Sequence, residues 1–356
     1  MQPFDFVYSA RAARVVFGAG SLQHLEREVL NLKAERALIL CSPEQLDVGE
    51  ALARRLGSRA AGIFDRAVMH VPVELAIEAR ELAAKLKADC AIAVGGGSTI
   101  GLGKAIALES DLPILAIPTT YAGSEMTPIF GLTEAGLKRT GTDLRVLPKT
   151  VIYDPELTLT LPAQLSLTSG INAIAHAAEG LYSRDANPII SLMAEEGIAA
   201  LARALPIVIG DPYDMHARSE ALYGAWLCGT VLGSVGMALH HKLCHTLGGS
   251  FNLPHAPTHT IILPHALAYN ASAAPDAMRR IVRAVGHDNA AMGVYELAKA
   301  NGAPVALKDI GMDAKQLDRA AEIASANPYW NPRAIEYSAI RALLQDAFDG
   351  APPRKH

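Results

Sequence analysis

Basic residues are in short supply. Lys and Arg together number 32 against 36 Asp and Glu, a formal charge of -4. No cationic surplus exists to neutralise a phosphate backbone, so a nucleic-acid partner is excluded. Charge of either sign is sparse at 19%, and aromatics reach only 5%, while half of the 356 residues are hydrophobic. Such a chain exceeds one ordinary core, and two domains are expected. Cysteine is rarer still. Cys41, Cys90, Cys228 and Cys244 show no CxxC spacing, a pattern that fits reduced thiols of a cytoplasmic protein and not a disulfide framework. The opening stretch MQPFDFVYSARAARVVFGAG lacks an apolar core and a cleavage pattern, so no signal peptide is expected. The most apolar stretch, residues 221–239, contains glycines and Trp226 and leads into histidines. It reads as a buried core helix, and no membrane partner is expected.

What is present divides the chain in two. Arg36–Cys41, Ala61–Phe64, Cys90–Val94 and Ile114–Ile117 are short β-like runs, and patterns such as Val73–Ala88 between them are helical. That alternation predicts parallel strands with helices on both faces. After Asp154 alanine and leucine recur at helical spacing from about Leu165 onward. The expectation is an α/β nucleotide-binding domain over 1–154, Rossmann-like, followed by an all-helical substrate domain over 155–356.

The strongest signal in the first half is Gly95-Gly96-Gly97-Ser98, which follows a strand and opens a helix over Ile100–Leu108. Glycines let the backbone approach a phosphate, and the helix start aims N–H groups at it. The loop is neither a Walker A sequence nor GxGxxG, since Ala105 and Ile100 break those patterns. Gly18-Ala19-Gly20, after Val15-Val16-Phe17, lacks a third glycine and reads as a simple turn. A second polar loop, from Pro118 through Thr119, Thr120, Gly123 and Ser124 to Thr127, follows the next strand. Ligands in open α/β sheets bind at the carboxyl ends of strands, where both loops fall.

Of twelve histidines, seven lie between His176 and His265 once the surface residue His216 is set aside. Asn172 and His176 are i,i+4 on one helical run, as are His241 and His245 on the next, and His255 follows Pro254 in a loop. One histidine is commonly a satisfied core or surface residue. So many in an apolar helical region each need a partner, which points to metal binding or to proton and oxyanion chemistry.

These residues resemble the iron-containing alcohol dehydrogenase superfamily over essentially the whole chain, through GGGS at 95–98, PTT at 118–120, GSE at 123–125 and the histidine spacing. The resemblance implies its dehydroquinate synthase-like fold and a homodimer. It also implies binding of NADH or NADPH by Gly95, Gly96, Gly97, Ser98, Thr119, Thr120, Ser124 and Lys138. The family's metal ligands fall on Asn172, His176, His241 and His255, and a histidine near its nicotinamide falls on His245. Two departures matter: Asn172 replaces a carboxylate ligand, and Gly101 stands where an Asp often follows GGGS.

Asn172, GGGSTIGLGKA, His240-His241-Lys242 and GLTEAGLKRTG resemble one branch, the reductases that convert maleylacetate to 3-oxoadipate in bacterial breakdown of aromatic compounds. With Asn172 neutral, His176, His241 and His255 remain as the candidate metal ligands, and no metal is expected to be required. The expected catalytic set is then His176, His241, His245, His255 and Asn172. Lys242 and Arg145 are the candidate partners of a dicarboxylate substrate. Ser42, after the first nucleotide strand, stands where many NAD-specific relatives carry an Asp, so use of both cofactors is expected. The nearest alternative is a metal-dependent alcohol or polyol dehydrogenase, which tight iron or zinc would favour. A nucleotide sensor without enzymatic activity would keep the glycine loop but has no need of the histidines.

Overall fold

The computed structural model describes residues 6, 8, 10, 13–69, 71–134 and 137–354, with the side chains of 137 and 138 outside the description. Two compact units divide between Leu161 and Pro162. The expected boundary at Asp154 falls earlier because that carboxylate works inside the first unit. It accepts N–H bonds from Gly20 (3.0 Å) and Leu22 (3.0 Å) and from Glu156 (3.1 Å), tying the chain after the last strand to the turn after the first.

The first unit is built on a six-stranded parallel sheet: β1 Arg14–Phe17, β2 Ala37–Leu40, β3 Ala60–Phe64, β4 Cys90–Gly95, β5 Ile114–Pro118 and β8 Thr150–Tyr153. Its order is β1-β8-β5-β4-β2-β3. The central strands read as continuous apolar runs because helices cover both faces; β2, β4 and β5 are buried at every position. Between β5 and β8 lies an antiparallel hairpin, β6 Ile129–Glu134 and β7 Leu137–Thr142. Strands β1 and β8 and this hairpin were not among the expected strands.

The topology selects the ligand edge. From β2 the chain steps outward to β3, then returns to place β4 on the other side of β2. Open α/β sheets bind ligands at such a reversal, beyond the carboxyl ends of the strands. Ser42 follows β2 there, and Gly95–Ser98 follows β4. The register Val94↔Ile117 and Gly95↔Pro118 sets the second loop abreast of the first.

The second unit is helical. Ala163–Tyr182, Pro188–Gly210 and Met215–Ser234 are followed by Leu239–Phe251 and His255–Asn270, with shorter helices after them. Leu239, Leu243, Leu247, Ile261, Ile262 and Leu344 belong to one buried cluster. No single helix among the described residues is long and apolar enough to cross a membrane; Met215–Ser234 and Leu239–Phe251 pass together but are bent by 94°.

Candidate active site

In the first unit the glycine loop is shaped by close approach. Gly95 has φ +149°, and a Cβ there would stand 2.5 Å from Thr99 Oγ1 and 2.6 Å from Gln45 Oε1. Gly96 is the N-cap of the helix Gly97–Ser110, so Gly97 and Ser98 form its first turn, half-buried, with orphan N–H groups at an anion-attracting terminus. Thr119 N–H donates to Gly95 O (3.1 Å), and Gln45 Nε2 donates to Thr119 Oγ1 (2.8 Å). A Cβ on Gly96 would meet Thr120 Cγ2 at 3.1 Å. Ser42 is the extended N-cap of the short turn Pro43–Gln45. Gly101 could not carry the family's Asp without movement, since its Cβ would lie 2.9 Å from Val71 Cγ2. The turn at Gly18–Gly20 is held by Asp154 and is structural, as read. Lys138 lies in β7, and its side chain is outside the described residues.

Lys104 lies fully buried on the helix that the glycine loop opens. Its Nζ donates toward Ser124 O (2.7 Å), Thr127 O (2.9 Å), Thr127 Oγ1 (2.9 Å) and Ile129 O (2.8 Å). One side chain thus fastens the second loop to the first. Burial pulls this amine down to about 7, against the pull of Glu125. Glu125, itself buried and pushed up by burial, accepts from Tyr153 Oη at 2.8 Å.

In the second unit the histidines converge. His176 and His241 lie with ring centroids 5.1 Å apart, His240 and His241 at 4.9 Å, and His241 and His259 at 5.1 Å. His255 adds a ring 4.2 Å from His259, and His245 one 5.9 Å from His241. His255 is not in a loop: it is the first residue of the helix His255–Asn270, with Pro254 as N-cap. His176, His240, His241 and His259 are buried, whereas His245 and His255 are exposed. His216 is exposed, as read, and His265 lies buried further along the helix that His255 begins.

Glu179, the one Asp, Glu, Lys or Arg on the helix Ala163–Tyr182, organises this centre. It accepts N–H bonds from Ala238 (2.8 Å) and His240 (2.7 Å), and Oε2 lies 2.8 Å from His241 Nδ1. Burial pushes the carboxyl up against these bonds. A carboxylate only accepts, so His241 carries its proton on Nδ1 and turns the Nε2 lone pair inward. His240 Nε2 lies 3.1 Å from the His259 carbonyl and therefore donates to it. Burial first, then neighbouring rings, holds His176, His241 and His259 well below the ordinary imidazole value and brings His240 to about 3. The buried rings are neutral at physiological pH.

Several atoms inside the centre have no hydrogen-bond partner: Asn172 Oδ1, His176 Nδ1, His241 Nε2 and both ring nitrogens of His259. Buried polar groups left unpaired are costly, and a group of them marks a place for a ligand. Among the described residues, the ring nitrogens that fall within 4.8 Å of one another belong to His240, His241 and His259, not to the expected trio His176, His241 and His255. At the exposed edge His245 Nδ1 lies 3.0 Å from Tyr329 Oη, and Lys242 Nζ stands 5.6 Å from that ring's centroid. Arg145 is engaged elsewhere: Asp143 takes its fork at 2.8 Å and Asp111 lies at 3.6 Å. Sequence reasoning gave no site role to Glu179, His240, His259 or Tyr329, although His240 and His259 stood in the histidine cluster and Glu179 as a lone charge three residues beyond His176.

Comparison with known proteins agrees with this architecture. The pattern described as iron-containing alcohol dehydrogenase matches residues 12–155, and that of the Fe-containing alcohol dehydrogenase family, C-terminal, matches 166–348. A maleylacetate reductase of Burkholderia cepacia is 62% identical over 348 residues, 98% of this chain and 99% of its own. The crystal structure of maleylacetate reductase from Agrobacterium tumefaciens superposes with a TM-score of 0.96 at 56% identity, covering 99% of this chain and 100% of that one. That from Rhizobium sp. strain MTP-10005 gives 0.95 at 55%, with the same coverage. Matched in both halves and aligned nearly end to end at more than half identity, the chain belongs to the iron-containing alcohol dehydrogenase family.

Proposed function

We propose that the chain reduces the C=C bond of maleylacetate to give 3-oxoadipate, with NADH or NADPH as hydride donor. The observation that carries the reading is the buried centre of neutral nitrogens and one amide oxygen, unpartnered, with the Glu179 carboxylate bonded to His241 on its Nδ1 side. Relatives named as maleylacetate reductases, alike over almost the whole chain, support the substrate.

The chemistry asks for two things. Hydride from nicotinamide C4 adds to the alkene carbon β to the ketone, and the alkene pair moves onto the ketone oxygen as an enolate. A proton then joins the α carbon, so that one NAD(P)H and one proton are consumed. A neutral imidazole always carries one N–H, and His259 has both nitrogens unpartnered, so it has a donor to offer the enolate. His176, a second neutral ring of the centre with its Nδ1 unpartnered, shares this role. Donors fixed in a water-poor site are commonly the largest catalytic contribution. His245, exposed and bonded to Tyr329, exchanges protons with solvent and supplies the α proton.

The family implies a divalent ion. The nitrogens of His240, His241 and His259 fit one in donor type and spacing, with Asn172 Oδ1 and His176 Nδ1 as further ligand atoms. Such an ion would supply a Lewis acid for the ketone oxygen. All of these ligands are neutral, because Glu179 is engaged by His241 and two backbone N–H groups. We therefore propose that binding is weak and that reduction does not depend on it. The four cysteines are free and buried, which fits a reducing compartment, and we place the enzyme in the cytoplasm.

The deciding experiment follows NADH oxidation with maleylacetate beside NAD reduction with a panel of alcohols. Turnover of the keto acid alone is expected; alcohol oxidation as the main activity overturns the reading. NADPH should serve too, since no carboxylate stands after β2 before Glu44. A preference above about a thousandfold for either, roughly 4 kcal/mol, would show discrimination by another residue.

Gly96→Val is expected to raise the cofactor KM by about tenfold or more, the scale of one lost charge-assisted hydrogen bond. The half-buried loop leaves the fold intact. An unchanged KM in a folded variant means that the phosphates bind elsewhere.

A further inference from the structure

A cavity of about 270 Å³ in the helical unit is walled by Ser183, Arg184, Gly236, Met237, Tyr329 and Trp330. Resting on the reductase reading, we propose that it receives the substrate carboxylate on the far side of the ketone, with Arg184 as the residue that binds it. The cavity begins one side chain away from the histidine centre. Tyr329, which forms part of its wall, places its hydroxyl 3.0 Å from His245 Nδ1. Gly236 and Met237 immediately precede Ala238, whose N–H holds Glu179.

The wall is held in shape. Asp185 accepts the Gly236 N–H at 3.3 Å and donates its own N–H to Ser183 Oγ at 3.3 Å, fixing the turn that carries Arg184. Arg184 is the one cation lining the cavity among the described residues. Its ion pair with Asp185 is 3.7 Å long between groups 69% and 51% exposed, too loose and too solvated to occupy the fork. A guanidinium presents paired N–H donors that match a carboxylate. The substrate carries two carboxylates separated by an alkene, a ketone and a methylene, so one cation cannot hold both. Lys242, whose Nζ stands 5.6 Å from the centroid of the Tyr329 ring that walls the cavity, is a second cation near by.

Kinetics with two substrates tests the assignment. Maleylacetate has the far carboxylate, and 4-oxopent-2-enoate is the same conjugated keto acid without it. Arg184→Gln should raise KM for maleylacetate by about 10–100-fold, the worth of a hydrogen-bonded charge pair. KM for 4-oxopent-2-enoate and for NADH should stay within about twofold, and Arg184→Lys should fall between wild type and Gln on maleylacetate. Arg184 is largely exposed, so the variants fold. An equal loss on both substrates, or no loss on maleylacetate, overturns the subsite while the reductase reading stands. A wild-type protein inert toward maleylacetate overturns the reading and the subsite with it.

Discussion

His245→Ala lowers kcat for maleylacetate by at least about 100-fold, the smaller end of what a positioned proton donor supplies, and leaves the KM for NADH near its wild-type value. The ring lies at the exposed edge of the centre, where it exchanges protons with water, and Tyr329 Oη fixes its orientation. The buried rings cannot replace it, because burial keeps them neutral. His241→Ala should cost a similar factor by another route. It removes a side-chain partner of Glu179, leaving a buried carboxylate held by two backbone N–H groups beside a void, so thermal unfolding should show a lower Tm for this variant and little change for His245→Ala. A loss under about tenfold at His245, measured in single turnovers, would assign proton delivery to another group.

Asn172→Asp raises zinc affinity by about a thousandfold. A carboxylate added within about 4 Å of a cation in a partly screened interior is worth on the order of 4 kcal/mol per unit charge, and the present ligand atoms are all neutral. The wild type, by contrast, keeps its maleylacetate activity after exhaustive chelation. Elemental analysis with activity assays before and after metal removal checks both claims. Near-stoichiometric metal in the wild type, with activity lost on its removal and recovered on its return, would overturn the metal-independent reaction and bring the alcohol dehydrogenase alternative forward.

Much of the fold was legible because its strongest elements write themselves locally. Strands β2, β4 and β5 are buried on both faces and so appear as unbroken apolar runs. The hairpin β6–β7 is different: Ile129 and Glu134 are exposed and the rest of β6 is only half-buried, so IFGLTE shows no marked periodicity. In the candidate site, Asn172 with His176 and His241 with His245 could be paired because helical spacing sets their faces. The bond from Glu179 to His241 spans 62 residues, and that from His245 to Tyr329 spans 84. No local pattern reports such distances. His240 was visible only as the neighbour of His241, and its inward role depends on a carbonyl 19 residues away. The ion pair of Arg145 with Asp143 lay two residues off and could have been read as a local turn, since Asp143 also caps Arg145 N.

The sheet order also sets a schedule for folding. Among the described residues β1 pairs only with β8, in the register Arg14↔Thr150 to Phe17↔Tyr153, while β2 to β5 can assemble from residues 37–118 alone. At roughly 5–20 residues per second on the ribosome, the first strand made waits roughly 7–27 s for its partner. Through that interval Val15 and Val16 belong to an unpaired apolar strand, the kind of segment that other chains capture. Asp154, bonded to Gly20 and Leu22, can close this seam only once β8 has emerged, although Arg14 and Glu28 can pair much earlier. The edge of the sheet is therefore the last part of the first unit to become native, however early its sequence appears.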